Sequence, residues 1–261
     1  MRFSRKDKHG LAIMGLAGVI IIGLLVAQFA IAPLPTDKKT LCPKSDDAQY
    51  SQVFLLVDNT DKLTARRQTD LRRELRNVAN NLELGERLTV YEISSERNGL
   101  SLPVFDMCRP TRGEEVSAWT SAPKQAEKKY KESFERLLEE LLSGFSEQIG
   151  SPTSPILESF ADLSKQLRII DGSRTEVRVY IFSDLMHNTD GYSQYGRGAT
   201  LDFDAWKKTP YGIRTGANFR NYPVTVLYLI NSAITRPVEH REFWLKYFNA
   251  AEAEYTWEPL Q

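Results

Sequence analysis

Apolar positions along the chain fall into two patterns that alternate after residue 50. One is a short unbroken run, such as Val53 to Val57, which stops at the polar residue Asp58. The other places apolar residues three or four positions apart, as in Leu71, Leu75 and Val78. The first pattern indicates a buried strand, and the second indicates one face of a helix. Alternation of the two predicts an α/β domain.

The same two patterns predict the remaining elements. The predicted strands are 52–58, 88–93, 102–107, 177–182 and 224–230. One predicted helix ends at Gly85, and the others cover 126–149, 156–167, 202–208 and 239–251. Pro103 places the third strand at an edge of the sheet, because proline has no N–H for the ladder. Pro155 suits the first position of a helix, with Ser154 as its N-cap.

The longest apolar run extends from Gly10 to Ala32, and Gln28 is its one polar side chain. About 20 such residues span a bilayer as a helix, whereas the apolar part of a cleavable signal peptide usually has about 7–15. We therefore predict an uncleaved signal anchor at residues 10–32. Basic residues before the run place residues 1–9 in the cytoplasm. Residues 33–50 are then a linker, and the domain at 51–261 is extracytoplasmic, or periplasmic if an outer membrane is present.

Composition and motifs argue against several functions. Lys plus Arg and Asp plus Glu both number 34, so no electrostatic case exists for binding nucleic acid. The three histidines do not have the spacing of metal ligands. The sequence has neither a Gly-x-Ser-x-Gly elbow nor a Gly-rich phosphate loop. These kinds of chemistry therefore find little support in the sequence.

Oxygen-bearing side chains follow the predicted strands or precede a predicted helix. Asp58 and Thr60 come at the end of the first strand, Thr153 and Ser154 precede a helix, and Asp184 follows the strand at 177–182. In open α/β sheets, ligands bind outside the carboxyl ends of the strands. Carboxylate and hydroxyl oxygens suit Mg²⁺. Asp58 and Thr60, at the end of the first strand, are therefore candidate oxygen ligands for a metal ion.

Three short segments resemble the von Willebrand factor type A (vWA) family. Asp58-Asn59-Thr60-Asp61-Lys62 resembles its first metal-site motif, Asp-x-Ser-x-Ser. Ser154-Pro155-Ile156-Leu157-Glu158 resembles the segment that begins at the family's metal-site Thr, and Phe182-Ser183-Asp184-Leu185 resembles its strand ending in Asp. The resemblance implies a Rossmann-like three-layer sandwich with a mostly parallel central sheet. It also implies a metal-ion-dependent adhesion site that serves protein binding or scaffolding through Mg²⁺, without catalysis. The residues that match this site are Asp58, Thr60, Thr153, Ser154 and Asp184.

Lys62 stands where the motif has its second Ser, and an ammonium group does not coordinate a cation. A cationic side chain there would instead stabilise Asp58 and Asp184 without an ion. Two alternatives therefore stay open beside the adhesion site. One is a divalent-metal hydrolase that uses Asp58 and Asp184, and the other is a structural anchor whose metal site has decayed. Each site residue also has a simpler interpretation, for example Asp58 or Ser154 as a helix cap.

The vWA resemblance also predicts a pairing for the two cysteines. In that family the third strand is an antiparallel edge strand, so Cys108 should lie at the edge of the sheet where the first strand begins. Cys42 precedes the first strand and should lie at the same edge. Outside the cytoplasm two such thiols are expected to form a disulfide. The membrane tether would then lie at the opposite end from Asp58 and Asp184.

The predicted topology is tested by adding protease outside intact cells, or to spheroplasts if an outer membrane is present. We expect digestion of the domain after Leu41, because the basic residues before Gly10 keep the N-terminus in the cytoplasm. Protection until the cells are lysed would reverse the predicted orientation.

Overall fold

The computed structural model describes residues 14–23, 36–44, 51–60, 64–95, 99–100, 102–116, 122–145, 151–170, 175–196, 198–231 and 234–260. Its strands, numbered along the chain, are β1 (Gln52–Asp58), β2 (Arg87–Ile93), β3 (Phe105–Cys108), β4 (Val177–Ser183), β5 (Asn188–Thr189), β6 (Tyr192–Ser193), β7 (Pro223–Leu229) and β8 (Glu254–Leu260). Its α-helices are α1 (Ala65–Asn80), α2 (Pro123–Tyr130), α3 (Arg136–Gly144), α4 (Ile156–Leu167), α5 (Phe203–Trp206), α6 (Pro210–Thr215) and α7 (Pro237–Ala250).

A six-stranded, mostly parallel sheet forms the centre of the fold, in the order β3-β2-β1-β4-β7-β8. β1 pairs in parallel with both β2 and β4, and its residues from Val53 onward are buried. An unbroken apolar run is what a strand covered on both faces requires. The expected α/β class is confirmed, as is the antiparallel third strand at the edge, because β3 runs against β2. We use two further terms for the ends of the parallel strands. The upper edge is the end of the sheet where β1 ends, and the lower edge is the end where β1 begins.

Helices cover both faces of the sheet. On one face, α1, α2 and α3 pack on alternate residues of β1 such as Val53, Leu55 and Val57. Thr64 caps α1 by accepting a hydrogen bond from the N–H of Arg67. A π-helical turn, Lys131–Glu135, joins α2 to α3. The predicted helix 126–149 is therefore three segments that begin earlier, at Pro123, and its expected end at Gly150 lies outside the described residues.

The second face carries α4, α7 and the short helices α5 and α6. The inward positions predicted for α4 are confirmed, since Ile156, Leu157, Phe160, Leu163 and Leu167 are all fully buried. Phe160 lies at the centre of an aromatic cluster. Its ring centroid is 5.9 to 6.0 Å from those of Phe219, Trp244, Tyr247 and Phe248. Ring pairs at such separations add stability beyond the area they bury.

Two local predictions are wrong. The third strand was expected at 102–107, but β3 begins at Phe105, after Pro103, whose missing N–H fits a position outside the ladder. Ser154 was expected to cap α4 with Pro155 inside the helix. Instead Pro155 is itself the N-cap residue, and the backbone of Ser154 pairs with Asn188 in an isolated bridge.

The sequence patterns also missed four elements, β5, β6, α6 and β8. The segment before β7 contains the small hairpin β5–β6 and α6 in addition to the expected short helix. A sixth strand of the sheet, β8, follows α7 and pairs in parallel with β7. The strand alternates between exposed and half-buried residues, so it lacks the apolar run on which the other predictions depended.

In the part of the chain that the structure describes, no helix is both long and apolar enough to cross a membrane. Residues 14–23 are helical, and the ends of the predicted anchor, Gly10 and Ala32, lie outside the described residues. Part of the predicted linker at 33–50 is ordered. Thr36 and Pro43 form an antiparallel bridge, and the carbonyl of Thr40 accepts a hydrogen bond of 2.7 Å from the N–H of Cys108.

The predicted disulfide is confirmed. Cys42 and Cys108 are bonded, with their Cα atoms 4.8 Å apart. Cys108 is the last residue of β3 and pairs with Arg87, which pairs in turn with Gln52, the first residue of β1. The bond therefore fastens the segment before β1 to the lower edge of the sheet.

Replacing both cysteines, Cys42→Ser with Cys108→Ser, is expected to lower the free energy of unfolding by about 4 kcal/mol on the chain-entropy model. The physical reason is that the bond spans 66 residues and restricts the unfolded chain. Urea unfolding of the oxidised and the reduced protein measures the difference. Reductant should leave the double variant unchanged, and an unmodified protein that reductant does not destabilise would contradict the expectation.

Candidate functional site

Asp58 is the buried centre of the upper edge. It is the last residue of β1 and is only 6% exposed. Its Oδ1 accepts hydrogen bonds from the hydroxyl of Thr60 at 2.6 Å and from the Thr60 backbone N–H at 3.1 Å. Its Oδ2 accepts a hydrogen bond of 2.6 Å from the hydroxyl of Ser183, the last residue of β4. The structure therefore joins the ends of two neighbouring strands through one carboxylate.

Asp184 is also buried at this edge, directly after β4. Its Oδ1 accepts a hydrogen bond of 2.9 Å from the N–H of Met186, and its Oδ2 accepts one from the side-chain amide of Asn231, beyond the end of β7. Burial, followed by the nearby charge of Asp184, raises the pKa of Tyr228 to about 12. Asp184 therefore links β4 to the chain that follows β7, as Asp58 links β1 to β4.

The loop before α4 reaches the same edge through its backbone. The N–H of Ser151 donates a hydrogen bond of 2.5 Å to the carbonyl of Thr60. Ser154 is buried, and no hydrogen-bond partner for its Oγ is found among the described residues. Thr153 is half-buried, and its hydroxyl lies 3.5 Å from that of Ser151. The three predicted segments thus meet at the upper edge, but the hydroxyls of the loop do not bond either carboxylate in the described structure.

The donor set fits a cation poorly. Each oxygen of Asp58 and Asp184 already accepts a hydrogen bond from the protein, so a bound Mg²⁺ would have to compete with those donors. Within the described residues, no group of three or more His, Cys, Asp or Glu is placed to hold a metal ion. Asp61 and Lys62 belong to the same motif and would affect its affinity for a cation, but they lie outside the described residues. Mg²⁺ binding stays a prediction.

Sequence reasoning missed several residues that build the upper edge. Ser183 and Asn231 are donors to the two carboxylates, and the amide of Asn59 donates a hydrogen bond of 2.8 Å to Glu92, at the end of β2. For Ser183 a signal exists, because it lies at the carboxyl end of an apolar run just before Asp184. Asn231 has no such signal, since only the folded sheet brings it beside β4.

A second polar cluster lies beside this edge, between α4 and α6. The hydroxyl of Tyr211 donates a hydrogen bond of 2.6 Å to Oε1 of Glu158 and lies 2.8 Å from Nε2 of His187. The N–H of Leu157 donates to Nδ1 of His187 at 3.4 Å. The proton of the neutral imidazole is therefore on Nε2, which donates to Tyr211. The result is a chain of hydrogen bonds from His187 through Tyr211 to Glu158.

Burial determines the protonation of this cluster. It lowers the pKa of His187 to about 3, so the imidazole is neutral over the physiological range. Burial, with the adjacent carboxylate of Glu158, raises the pKa of Tyr211, so its phenol keeps its proton. The cluster opens onto a cavity of about 380 Å³ that Thr153, one of the predicted site residues, also lines.

No protein-family model and no curated protein matches the chain. Matching solved structures include the human COPII-coat protein Sec24c, at 9% identity and a TM-score of 0.42, covering 87% of this chain and 31% of that one. They also include proximal thread matrix protein 1 from the mussel byssus, at 11% identity and a TM-score of 0.35, covering 80% of this chain and 44% of that one. The chain thus spans less than half of either structure, and likenesses at these TM-scores assign neither a family nor a function.

Metal binding is tested by adding Mg²⁺ or Mn²⁺ to the full chain and measuring its melting temperature. We expect a rise only at millimolar metal, because a cation must compete with the hydrogen bonds to Asp58 and Asp184. Asp184→Asn removes one of the two charges and should abolish the rise. Asp190→Asn, which removes an exposed carboxylate outside the predicted set, should retain it. An unmodified chain that shows no rise would contradict Mg²⁺ binding and favour the alternative of a decayed metal site.

Proposed function

We propose that the chain is a membrane-anchored, extracytoplasmic vWA-like domain that binds a partner protein through the upper edge of its sheet. The observation that supports the proposal is that the segment after the predicted anchor and the candidate site lie at opposite edges of the sheet. The Cys42–Cys108 bond fastens the segment that follows the apolar run 10–32 to the lower edge. Asp58, Asp184 and the cavity beside Thr153 belong to the opposite edge.

The extracytoplasmic part of the proposal is supported by the sequence, because residues 10–32 are long and apolar enough to serve as a membrane anchor. The disulfide adds a second argument, since such bonds persist in oxidising compartments and are rare in the cytosol. Both arguments favour the periplasmic or extracellular side for residues 51–261.

Binding is a better account of the upper edge than catalysis. A hydrolase using Asp58 needs a carboxylate free to act on a metal-bound water or a substrate. Here the two Asp58 oxygens accept hydrogen bonds from Thr60 and Ser183, both at 2.6 Å. A carboxylate held in this way suits a rigid surface, and a rigid surface lowers the entropic cost of binding a partner.

The proposal is tested by photo-crosslinking in the native host, with p-benzoylphenylalanine in place of single exposed residues of the full chain. Tyr195, 38% exposed and just after the β5–β6 hairpin, reports on the upper edge. Leu84, 58% exposed in the loop before β2, is the matched control at the lower edge. We expect a protein adduct from position 195 and none from position 84, because only the upper edge contacts the partner.

Adducts formed only from position 84 would place the partner at the lower edge and contradict the proposal. Absence of an adduct at both positions, with the full chain present at its normal level, would count against a protein-binding function.

A further inference from the structure

Two cavities flank Tyr211, and three residues line both of them: Gly191, Tyr211 and Arg214. The first, of about 380 Å³, is polar and includes Thr153 and Glu158. The second, of about 540 Å³, is mainly apolar and includes Tyr192, Trp206 and Pro210. Each volume lies within the range of small-ligand sites, roughly 300–1,000 Å³. A ligand that crosses Tyr211 would therefore place a polar group on one side and an apolar group on the other.

The polar cavity has an excess of negative charge. Three acidic residues line it, Glu158, Asp162 and Asp190, against two basic ones, Lys165 and Arg214. Asp162 and Lys165 form an ion pair of 2.7 Å and neutralise each other. The guanidinium of Arg214 lies over the ring of Tyr211, 5.2 Å from its centroid. Among the described residues, no basic side chain forms an ion pair with Glu158 or Asp190 other than the imidazole of His187.

His187 does not supply the missing positive charge. Its Nδ1 lies 3.9 Å from Oε2 of Glu158, and a protonated ring there would pair with the carboxylate. Burial lowers the pKa of His187 to about 3, so the ring is neutral over the physiological range. Oε2 of Glu158 also has no hydrogen-bond donor among the described residues. A cationic group in the cavity would complement this carboxylate.

The apolar cavity is walled by aromatic rings and includes a buried donor for which the described residues offer no acceptor. The ring of Tyr192 lies 6.3 Å from Trp206 and 6.1 Å from Tyr211, centroid to centroid. Trp206 is 3% exposed, and no acceptor for its indole N–H is found within the described ranges. A buried donor without a partner costs free energy. A carbonyl oxygen beside an apolar side chain, the combination found in a peptide, would satisfy it.

The wall between the two cavities is held in place. The Tyr211 hydroxyl bonds Glu158 and lies 2.9 Å from the hydroxyl of Thr189. The hairpin turn passes so close to the ring that a Cβ at Gly191 would clash with it. The spacing between the polar and the apolar cavity is therefore fixed before a ligand arrives.

We propose that the two cavities bind a peptide segment of a partner protein in which a cationic side chain lies next to an apolar one. The cation enters the polar cavity beside Glu158 and Asp190, and the apolar side chain enters the cavity lined by Trp206. A peptide carbonyl accepts the hydrogen bond of the Trp206 indole. This inference rests on the proposed protein-binding function and specifies the chemistry of the partner.

The test uses the purified full chain and capped, fluorescent tetrapeptides of three kinds: Gly-Arg-Leu-Gly, Gly-Glu-Leu-Gly and Gly-Arg-Gly-Gly. Anisotropy measures the affinity. Incorporation of 5-fluorotryptophan gives a fluorine signal for each tryptophan, and Trp206→Phe identifies the signal of Trp206. We expect the Arg-Leu peptide to bind most tightly and to shift the Trp206 signal, because only this peptide supplies a group for each cavity.

Glu158→Gln keeps an acceptor for Tyr211 but removes the charge. It should weaken binding of the Arg-Leu peptide about fivefold, as expected for the loss of one partly exposed ion pair. Glu258→Gln, which removes an exposed charge on β8, is the matched control and should bind as the unmodified chain does. If Glu158→Gln does not fold, as judged by the fluorine signals of the other tryptophans, Asp190→Asn on the exposed turn takes its place with the same expected direction.

Equal affinity for the acidic peptide, no peptide binding to the unmodified chain, or no effect of the folded Glu158→Gln or Asp190→Asn variant would overturn the inference. Such a result would leave the proposed function standing if position 195 still crosslinks to a protein. Conversely, binding of the Arg-Leu peptide without any crosslink would support the proposed peptide chemistry of these cavities and would contradict the proposed partner at position 195.

Discussion

A buried carboxylate at the end of the central strand is the constraint on which the upper edge of this protein depends. Removing a charged group from water costs several kcal/mol unless other groups replace the water. Asp58 obtains this compensation from hydroxyls at the ends of two separate elements, Thr60 and Ser183. The loop before α4 is attached in turn, since Ser151 donates to the carbonyl of Thr60. The need to satisfy one carboxylate thus fixes how three segments meet.

The two ends of the sheet are stabilised by different means. The lower edge has a covalent bond, Cys42–Cys108, and an ion pair of 2.6 Å between Arg178 and Glu86, whose side chain is 1% exposed. The upper edge is held by hydrogen bonds among short polar side chains and has a neutral His187 behind it. A surface of this kind presents charge and hydrogen-bonding groups in fixed positions. For the proposed binding function, that arrangement favours a partner with complementary groups over adaptation to many partners.

Sequence patterns predicted the parts of the fold that depend on unbroken or periodic burial. β1, β4 and α4 were found because their inward residues form runs or helical stripes that depend on local spacing alone. Asp58 and Asp184 were found because a polar residue ended such a run. The prediction that Ser154 caps α4 was wrong because its backbone pairs with Asn188, 34 positions later in the chain. A rule based on neighbouring residues cannot detect such a partner. Glu158, His187 and Tyr211 form a cluster only after α4, the segment between β4 and β5, and α6 come together, so their spacing carries no signal.

The strand that sequence patterns missed, β8, also has a consequence for the behaviour of the protein in solution. It ends the sheet on one side, and an exposed edge strand offers N–H and C=O groups that can pair with the edge of another chain. Pro259 removes one of those N–H groups, and the exposed charges of Glu254 and Glu258 would repel each other across two copies paired in register. On the other side, β3 has only four residues and is covered in part by the chain around Thr40. Both sides of the sheet are thus protected against edge-to-edge pairing, so we expect high concentrations of the protein to remain free of aggregates that form through its sheet.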